Sequence, residues 1–436
     1  MPRPFFAVLL AALAAALLPG CADLRYYWQS VQGHTALMGA AAPLADWLAR
    51  PGVPAPLRER LQLAVRARDF AVTDLALPDN GSYRSYAALD RPAAVWNVVA
   101  APPDALTPHQ WCFVVVGCIS YRGYFAQADA QAEAARLAAQ GLEVYVHGVP
   151  AYSTLGYLDW LGGDPLLSTF ITWPEGEFVR LLFHELAHQV VYAKNDSAFN
   201  ESFATAVERL GSARWLASRS TPAQQQAFAD RQQQRQAFRA LAQATRRRLA
   251  ELYDAHQAQA LAAPALAALK SEAMQDFRSR YAQLRQQWQA PLAQVPMPAL
   301  QAAAAEPMAP AQLAGYDRWV AQANNASFAA QATYDHWVPA FETLFAQQEG
   351  DWRRFYAAVQ ALADLSPPLR EERLQALLQG APEPGPSAPS AGAGAGTTTP
   401  ATPSAGGPGS LAPAAAPAFE TATATRPAAP AVRRLP

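Results

Sequence analysis

The sequence predicts a mainly helical fold with a small α+β core and long helical arms, and three observations carry that expectation. The chain has 436 residues, 51% of them hydrophobic and rich in alanine, the strongest helix former. Leucines and other apolar residues recur three and four apart over most of the length, the period of a helix with one buried face. Short runs of β-branched and aromatic residues are confined to the stretch from about residue 93 to residue 149, enough for a modest sheet. Such a length can bury a large core. The net charge of -1 gives no electrostatic reason to expect nucleic acid or an anionic membrane as a partner.

The N-terminus reads "MPRPFFAVLLAALAAALLPGCADLRYYW". Arg3 supplies a short positive region, and the apolar run from Phe5 to Leu18 is 14 residues long. That is too short to span a bilayer and has the layout of a secretory signal, here residues 1–20. Leu18 and Gly20 ahead of Cys21 resemble the lipobox of bacterial lipoproteins, with Pro19 an unusual member of that box. The resemblance implies cleavage before Cys21 and its acylation, which anchors the chain and does not thread it through the bilayer. Ala22, where aspartate would retain a lipoprotein at the inner membrane, points by the same resemblance to the outer membrane, facing the periplasm.

Residues 23–76 carry two helical patterns separated by Pro51, Gly52 and Pro54. "AAVWNVVAAP" and "WCFVVVGCIS" then read as strands, "AQADAQAEAARLAAQ" as a helix ending at Gly141, and "LEVYVHGV" as another strand. Cys112 and Cys118 leave two possibilities open. They pair across a local turn containing Gly117, as an oxidising compartment allows, or they pack as small hydrophobes on one extended strand that keeps their sulfurs apart. With no further cysteine to complete a thiolate site, they are not expected to hold zinc. "AYSTLGYL" reads as an edge strand to which a peptide could add.

A helix is expected from about Glu175 to Ala193, with Glu175 and Glu177 suited to the positive end of its dipole. Lys194, Asn195 and Asp196 make a turn, and "SAFNESFATAVERLG" forms a second helix that Gly211 ends. Residues 222–293 suggest a long exposed helical pair, its charges a solvated face. Two or three helices follow in 310–365. Residues 380–436 are Pro, Ala, Gly, Ser and Thr with few large hydrophobes, and are expected to form a disordered tail.

The chemistry concentrates in "FHELAHQVVY". Residues four apart share a helix face, so His184 and His188 can place an imidazole nitrogen on one ion. Glu185 points somewhat aside, where it reaches a water and not the ion, as a general base must. Zinc needs a third protein ligand and an open position. Glu201 and Glu208, seven apart on one face of the next helix, are both candidates, and helix geometry alone does not choose between them.

"HELAH" followed by "NESFATAVE" resembles the gluzincin metallopeptidases, whose second helix bears an Asn-Glu-x-Phe-Ala-like motif. It is most similar to a family of zinc-dependent aminopeptidases found as bacterial lipoproteins. The similarity runs from about Cys21 to residue 375 and includes "GCISYRGYF", "AYSTLGYLDW", "DPLLSTF" and "NNASFAAQATYDHWVPAFE". It implies a zincin-like metallopeptidase domain over 21–379, zinc on His184, His188 and Glu201, peptide hydrolysis with Glu185 as base, and Glu208 orienting a histidine from behind. One departure stands out: Glu201 lies only 13 residues past His188, where the better-known gluzincins use a longer spacing that Glu208 would fit. The exopeptidase motif that precedes the histidines in larger aminopeptidases is missing as well.

For the oxyanion donor the expectation is Tyr334 in "TYDHW", with Tyr152 and His336 behind it. Asn324 and Asn325 either cap a helix or bond substrate backbone, capping being the expectation. The competing functions are an endopeptidase of envelope proteins and an anchored scaffold whose metal is structural.

Overall fold

The computed structural model describes residues 25–113, 117–153, 163–289, 310–332 and 336–380. Cys21, the leader, Tyr334, most of "AYSTLGYL" and nearly all of the expected tail lie outside them. Among the described residues no helix is long and apolar enough to cross a membrane.

The described residues are mainly helical and form three small sheets. Helix α1 covers residues 25–39, followed by α2 (Leu44–Ala49) and α3 (Ala55–Thr73). The central sheet has the order β6-β3-β7, with β3 (Val95–Ala101) flanked by β6 (Arg122–Tyr124) and β7 (Glu143–Val149), both antiparallel to it. Helix α4 (Gln127–Ala138) covers its outer face. Strands β1 (Ala41–Pro43), β2 (Ser85–Ala87) and β8 (Leu166–Leu167) form a second sheet, in which β8 runs parallel to β2.

Side chains alternate across a strand, so each face of the central sheet carries its own residues. Val98, Ala100 and Tyr124 point outward, into a cluster with Tyr26 of α1 and with Ala130 and Leu137 of α4. On the inner face, Val95 and Val149 join the main core, while Val99, Ala101 and Tyr145 join a second cluster. Asn97 and His147 face each other between those rows.

Cys112 and Cys118 are directly paired across the hairpin of β4 (Trp111–Phe113) and β5 (Gly117–Ile119) and form a disulfide. The two cysteines do not share one extended strand, because β4 and β5 pair antiparallel and set them opposite each other. The Cys118 amide also donates to Asn195 Oδ1 at 3.2 Å, docking the hairpin on the connection between the next two helices.

Helix α5 (Glu175–Ala187) stops six residues before the expected Ala193, with His188 as its C-cap. The chain tightens there into shorter turns, Gln189 and Val190 donating to Leu186 and Ala187 three residues back. Asn195 takes the left-handed conformation, φ 64°, which asparagine tolerates better than most side chains. Helix α6 (Ser197–Arg219) runs straight through Gly211, the expected stop. A Cβ at Gly211 would come within 2.8 Å of Leu75 and 3.1 Å of Phe183, so this glycine serves close helix packing and not termination.

The expected arm is present as α7 (Pro222–Gln257) and α8 (Ala263–Gln289). It is less exposed than its composition suggested. One stripe of each helix, including Phe238, Leu249, Phe277 and Tyr281, packs with α9 (Pro310–Ala321), α10 (Asn325–Ala332) and the sheet's inner face as the second core. Helices α11 (Val338–Gln347), α12 (Trp352–Ala363) and α13 (Pro367–Leu378) close the main core over α6, where Phe341, Phe355 and Tyr356 surround Phe203.

Candidate metal centre

Helix α5 is buried nearly all round: of residues 176–187 only Arg180 is not fully buried. Its polar groups are therefore inside the protein and need partners there. His184, Glu185 and His188 are 0%, 1% and 2% exposed, and Phe183 on the same turn stacks against Phe70 of α3.

His184 Nε2 and His188 Nε2 lie 3.2 Å apart. Glu201 Oε2, from the second turn of α6, is 3.4 Å from the first and 3.6 Å from the second. Neither contact gives that oxygen a hydrogen-bond partner of good geometry. One ligand atom from each of the three residues lies within 4.8 Å of the other two. Two imidazole nitrogens and a carboxylate oxygen brought together in a dry site repel one another unless a cation or proton is shared among them, so the donor set fits a metal ion.

Behind the histidines stands a line of charges. Glu208 Oε2 accepts from His184 Nδ1 at 2.9 Å, which fixes the tautomer and leaves Nε2 as the lone-pair side. The other Glu208 oxygen meets Arg180 Nε at 3.2 Å, and Arg180 reaches Glu177 at 3.3 Å. Glu177 in turn is gripped by Arg235 of α7 through contacts of 2.8 Å to both its oxygens. A buried relay of opposite charges thus runs from α7 to the back of the first histidine.

The electrostatics follow from burial and these neighbours. Burial opposes ionisation of Glu208, but Arg180 and the bond to His184 win and hold its pKa down to about 2. Burial likewise works against a charged His184, yet Glu201 and Glu208 outweigh it and lift its pKa to about 10, which marks a position that attracts positive charge. Burial works against ionised Glu201 too, and His188 and His184 keep its pKa below the ordinary carboxylate value. Glu185 is different. Burial dominates and raises it to about 7, and neither of its oxygens has a hydrogen-bond partner.

Several residues that frame this centre were not singled out from the sequence. Asn200 closes the α5–α6 connection by accepting from Ala193 N at 2.7 Å and donating to Ala193 O at 2.8 Å, just before Glu201. Gln189, next to His188, is held by Asn80 at 2.7 Å and Ser82 at 3.1 Å. Tyr121, in "GCISYRGYF", lies within the fields of Glu201 and Glu185, and burial foremost raises its pKa well above the ordinary value. Asn200 could have been found from the quoted Asn-Glu motif. The bond between Glu177 and Arg235 could not, since 58 residues separate them.

The other sequence candidates have contacts of their own, and His336 precedes Trp337, whose amide donates to Ser202 Oγ, beside Glu201, at 3.1 Å. Tyr152 bonds His34 Nδ1 at 3.0 Å and packs on Phe125, and His336 packs edge-on against Trp337. Asn324 caps α10, accepting from Ser327 N at 3.1 Å, and the Asn325 amide donates to Pro102 and Ala105 while accepting from Tyr253 at 2.7 Å. Asn324 is a cap, as expected, whereas the Asn325 side chain caps nothing and ties α10 to the 102–105 stretch and to Tyr253.

A family model described as "Putative aminopeptidase" matches residues 25–377, most of the chain and both helices of the centre. The chain belongs to this family. No curated protein and no solved structure matches it. For the aminopeptidase family, this chain places a buried cluster able to hold a metal at the junction of α5 and α6.

Proposed function

We propose that the chain is a zinc-dependent aminopeptidase of zincin-like architecture, anchored by lipid at Cys21 in the outer membrane and acting on peptides in the periplasm. The convergence of His184, His188 and Glu201 carries the metal part of this reading. Two imidazoles and one carboxylate are a donor set of catalytic zinc, which keeps one position open.

Zinc bound there supplies a Lewis acid that makes water nucleophilic near neutral pH. The chain's own residues do the rest. Glu208 holds His184 in one tautomer, and the Arg180–Glu177–Arg235 relay keeps Glu208 ionised and in place. Glu185, lifted by burial to about 7 and bound to nothing else, is poised to take a proton from the attacking water and give it to the leaving amine. Tyr334 is the proposed donor to the developing oxyanion.

The test combines metal analysis with mass spectrometry of peptide digests. One zinc per chain and stepwise loss of N-terminal residues from free peptides, abolished by N-acetylation, are the expected results. Cleavage of acetylated peptides at internal bonds would establish the endopeptidase alternative, which the missing exopeptidase motif favours. A metal-loaded protein that cuts neither class would leave only the scaffold.

A further inference from the structure

Helix α1 contains no acidic residue, and burial divides it into two faces. Tyr26, Ser30, His34 and Leu37 are buried, Tyr26 in the cluster outside the central sheet and Leu37 in the main core. Gln29 donates to Gly123 O at 3.3 Å and accepts from Phe125 N at 3.1 Å, while His34 Nδ1 meets the Tyr152 hydroxyl at 3.0 Å. A Cβ at Gly33 would overlap the Phe125 ring, so the helix sits as close to the chain beneath it as glycine allows. Its opposite face is thereby held in one orientation.

That face carries Arg25, Trp28, Val31, Gln32, Thr35 and Ala36, all exposed. Trp28 is 62% exposed and Val31 54%, the two most exposed large apolar side chains among the described residues. Three residues apart on a helix, they are neighbours. Apolar residues exposed singly are ordinary, and Leu369 and Leu378, near the two ends of α13, are of that kind. A tryptophan beside a valine, on a fixed stripe that has no acid, is not. Water is a poor partner for such a pair, and something apolar would cover it better.

The chain ahead of α1 indicates what that cover is. Only Ala22, Asp23 and Leu24 separate Cys21 from Arg25, so even at full extension the helix begins within about 14 Å of the cysteine. Trp28 follows about 4.5 Å further along the helix axis. We propose that, with Cys21 acylated, the Trp28–Val31 face of α1 lies on the bilayer surface, the indole among the headgroups and Arg25 toward lipid phosphate. A net charge of -1 gives the membrane no general attraction, so the contact is apolar burial beside an anchor and not electrostatic adhesion. The occupant rests on the lipid-anchor reading, whereas the fixed apolar face does not.

The experiment uses the full chain, expressed with its leader, taken from the membrane in detergent and returned to vesicles of phosphatidylethanolamine and phosphatidylglycerol. Part of the lipid carries bromine near the headgroup end of its acyl chains, where it quenches any tryptophan it touches. The mass of the N-terminal peptide reports acylation of Cys21 separately. Wild type is expected to lose about one part in 11 of its emission on brominated vesicles, the share of a single tryptophan among 11. Trp28→Phe, changed at an exposed position, should lose none, and Val31→Glu, which sets a carboxylate on the face, should lose less than wild type. Acylated wild type quenched no more than Trp28→Phe would overturn the proposal and leave the anchor standing. A dimer in detergent that Val31→Glu breaks, with Trp28 unquenched on vesicles, would give the face to a second copy and overturn it as well. Quenching of Trp28 in a chain whose Cys21 is bare would keep the docking face and remove the anchor, and a bare, unquenched chain would remove both.

Discussion

The α5–α6 hairpin and the outer part of the α7–α8 hairpin, beyond the buried Asp230 and Arg235, dispose of their charges in opposite ways. In the first, Glu177, Glu185, Glu201 and Glu208 are all buried, three of them matched by arginine or histidine at 2.8–3.6 Å. In the second, pairs such as Arg248–Glu272 and Arg280–Asp276 are just as short, at 2.8 and 3.0 Å, but stand in solvent. Water already stabilises the arm's charges, so their pairing adds little. Taking a carboxylate out of water is costly, and the first hairpin does so four times in two helices. The lesson is that ion-pair geometry says little by itself. Burial separates charges that solubilise a helix from charges that build a centre.

Breaking the centre at its chemistry should have the largest effect. Glu185→Gln is expected to lower peptide cleavage about 10²–10⁴-fold with zinc content unchanged, since it removes the base and leaves the ligands. Matched rate and metal measurements check this, and an active Glu185→Gln protein would sink the mechanism. Next comes Glu177→Ala, which strands Arg235 and Arg180 without their buried partner. Loss of about 3–5 kcal/mol in urea unfolding is expected. Glu208→Gln, which keeps shape but gives up charge behind His184, should weaken zinc about 10–100-fold in a competition titration with a chelator.

The same contrast has a pH signature. Burial works against ionised Glu177, but Arg235 and Arg180 hold its pKa below the ordinary carboxylate value. The unfolded chain therefore takes up that proton first as pH falls. The stability Glu177 contributes is complete above roughly pH 4.3 and is lost as pH drops through its lower folded value. Urea midpoints measured downward from pH 5 should fall for wild type and flatten in Glu177→Gln. The smallest effect belongs to the arm, where Glu272→Ala should change stability by less than about 0.5 kcal/mol, and less still in high salt.

How legible each region was follows from the same physics. The pair of histidines and Glu185 were readable because helix geometry fixes what is four apart and what is one apart, and the structure does bring His184, His188 and Glu201 together. The choice of Glu201 over Glu208 was not readable from helix geometry, since seven residues keep both on one face; resemblance supplied it. The structure sets Glu208 against His184 Nδ1, behind the cluster and not within it. Helix ends were poorly legible. Gly211 looked like a stop because glycine often is one, and only the approach of Leu75 and Phe183 reveals its packing role. The arm's composition hid a stripe of aromatics that buries a second core, because its polar faces outnumber that stripe.

The bonds from Asn200 to Ala193 mean that distance along the chain is a poor ruler for finding ligands in such sites. One amide side chain, reading both backbone groups of a residue seven positions earlier, fastens the ends of the connection as a pair of strand bonds would. With the ends fastened, the segment between them is free to be brief, and the acid that completes the cluster follows at once in sequence. Lengthening the chain at Lys194, ahead of Asn195 and the Asp196 cap, should therefore cost little while Asn200 stays, whereas Asn200→Asp would set a carboxylate against the Ala193 carbonyl and loosen the whole turn.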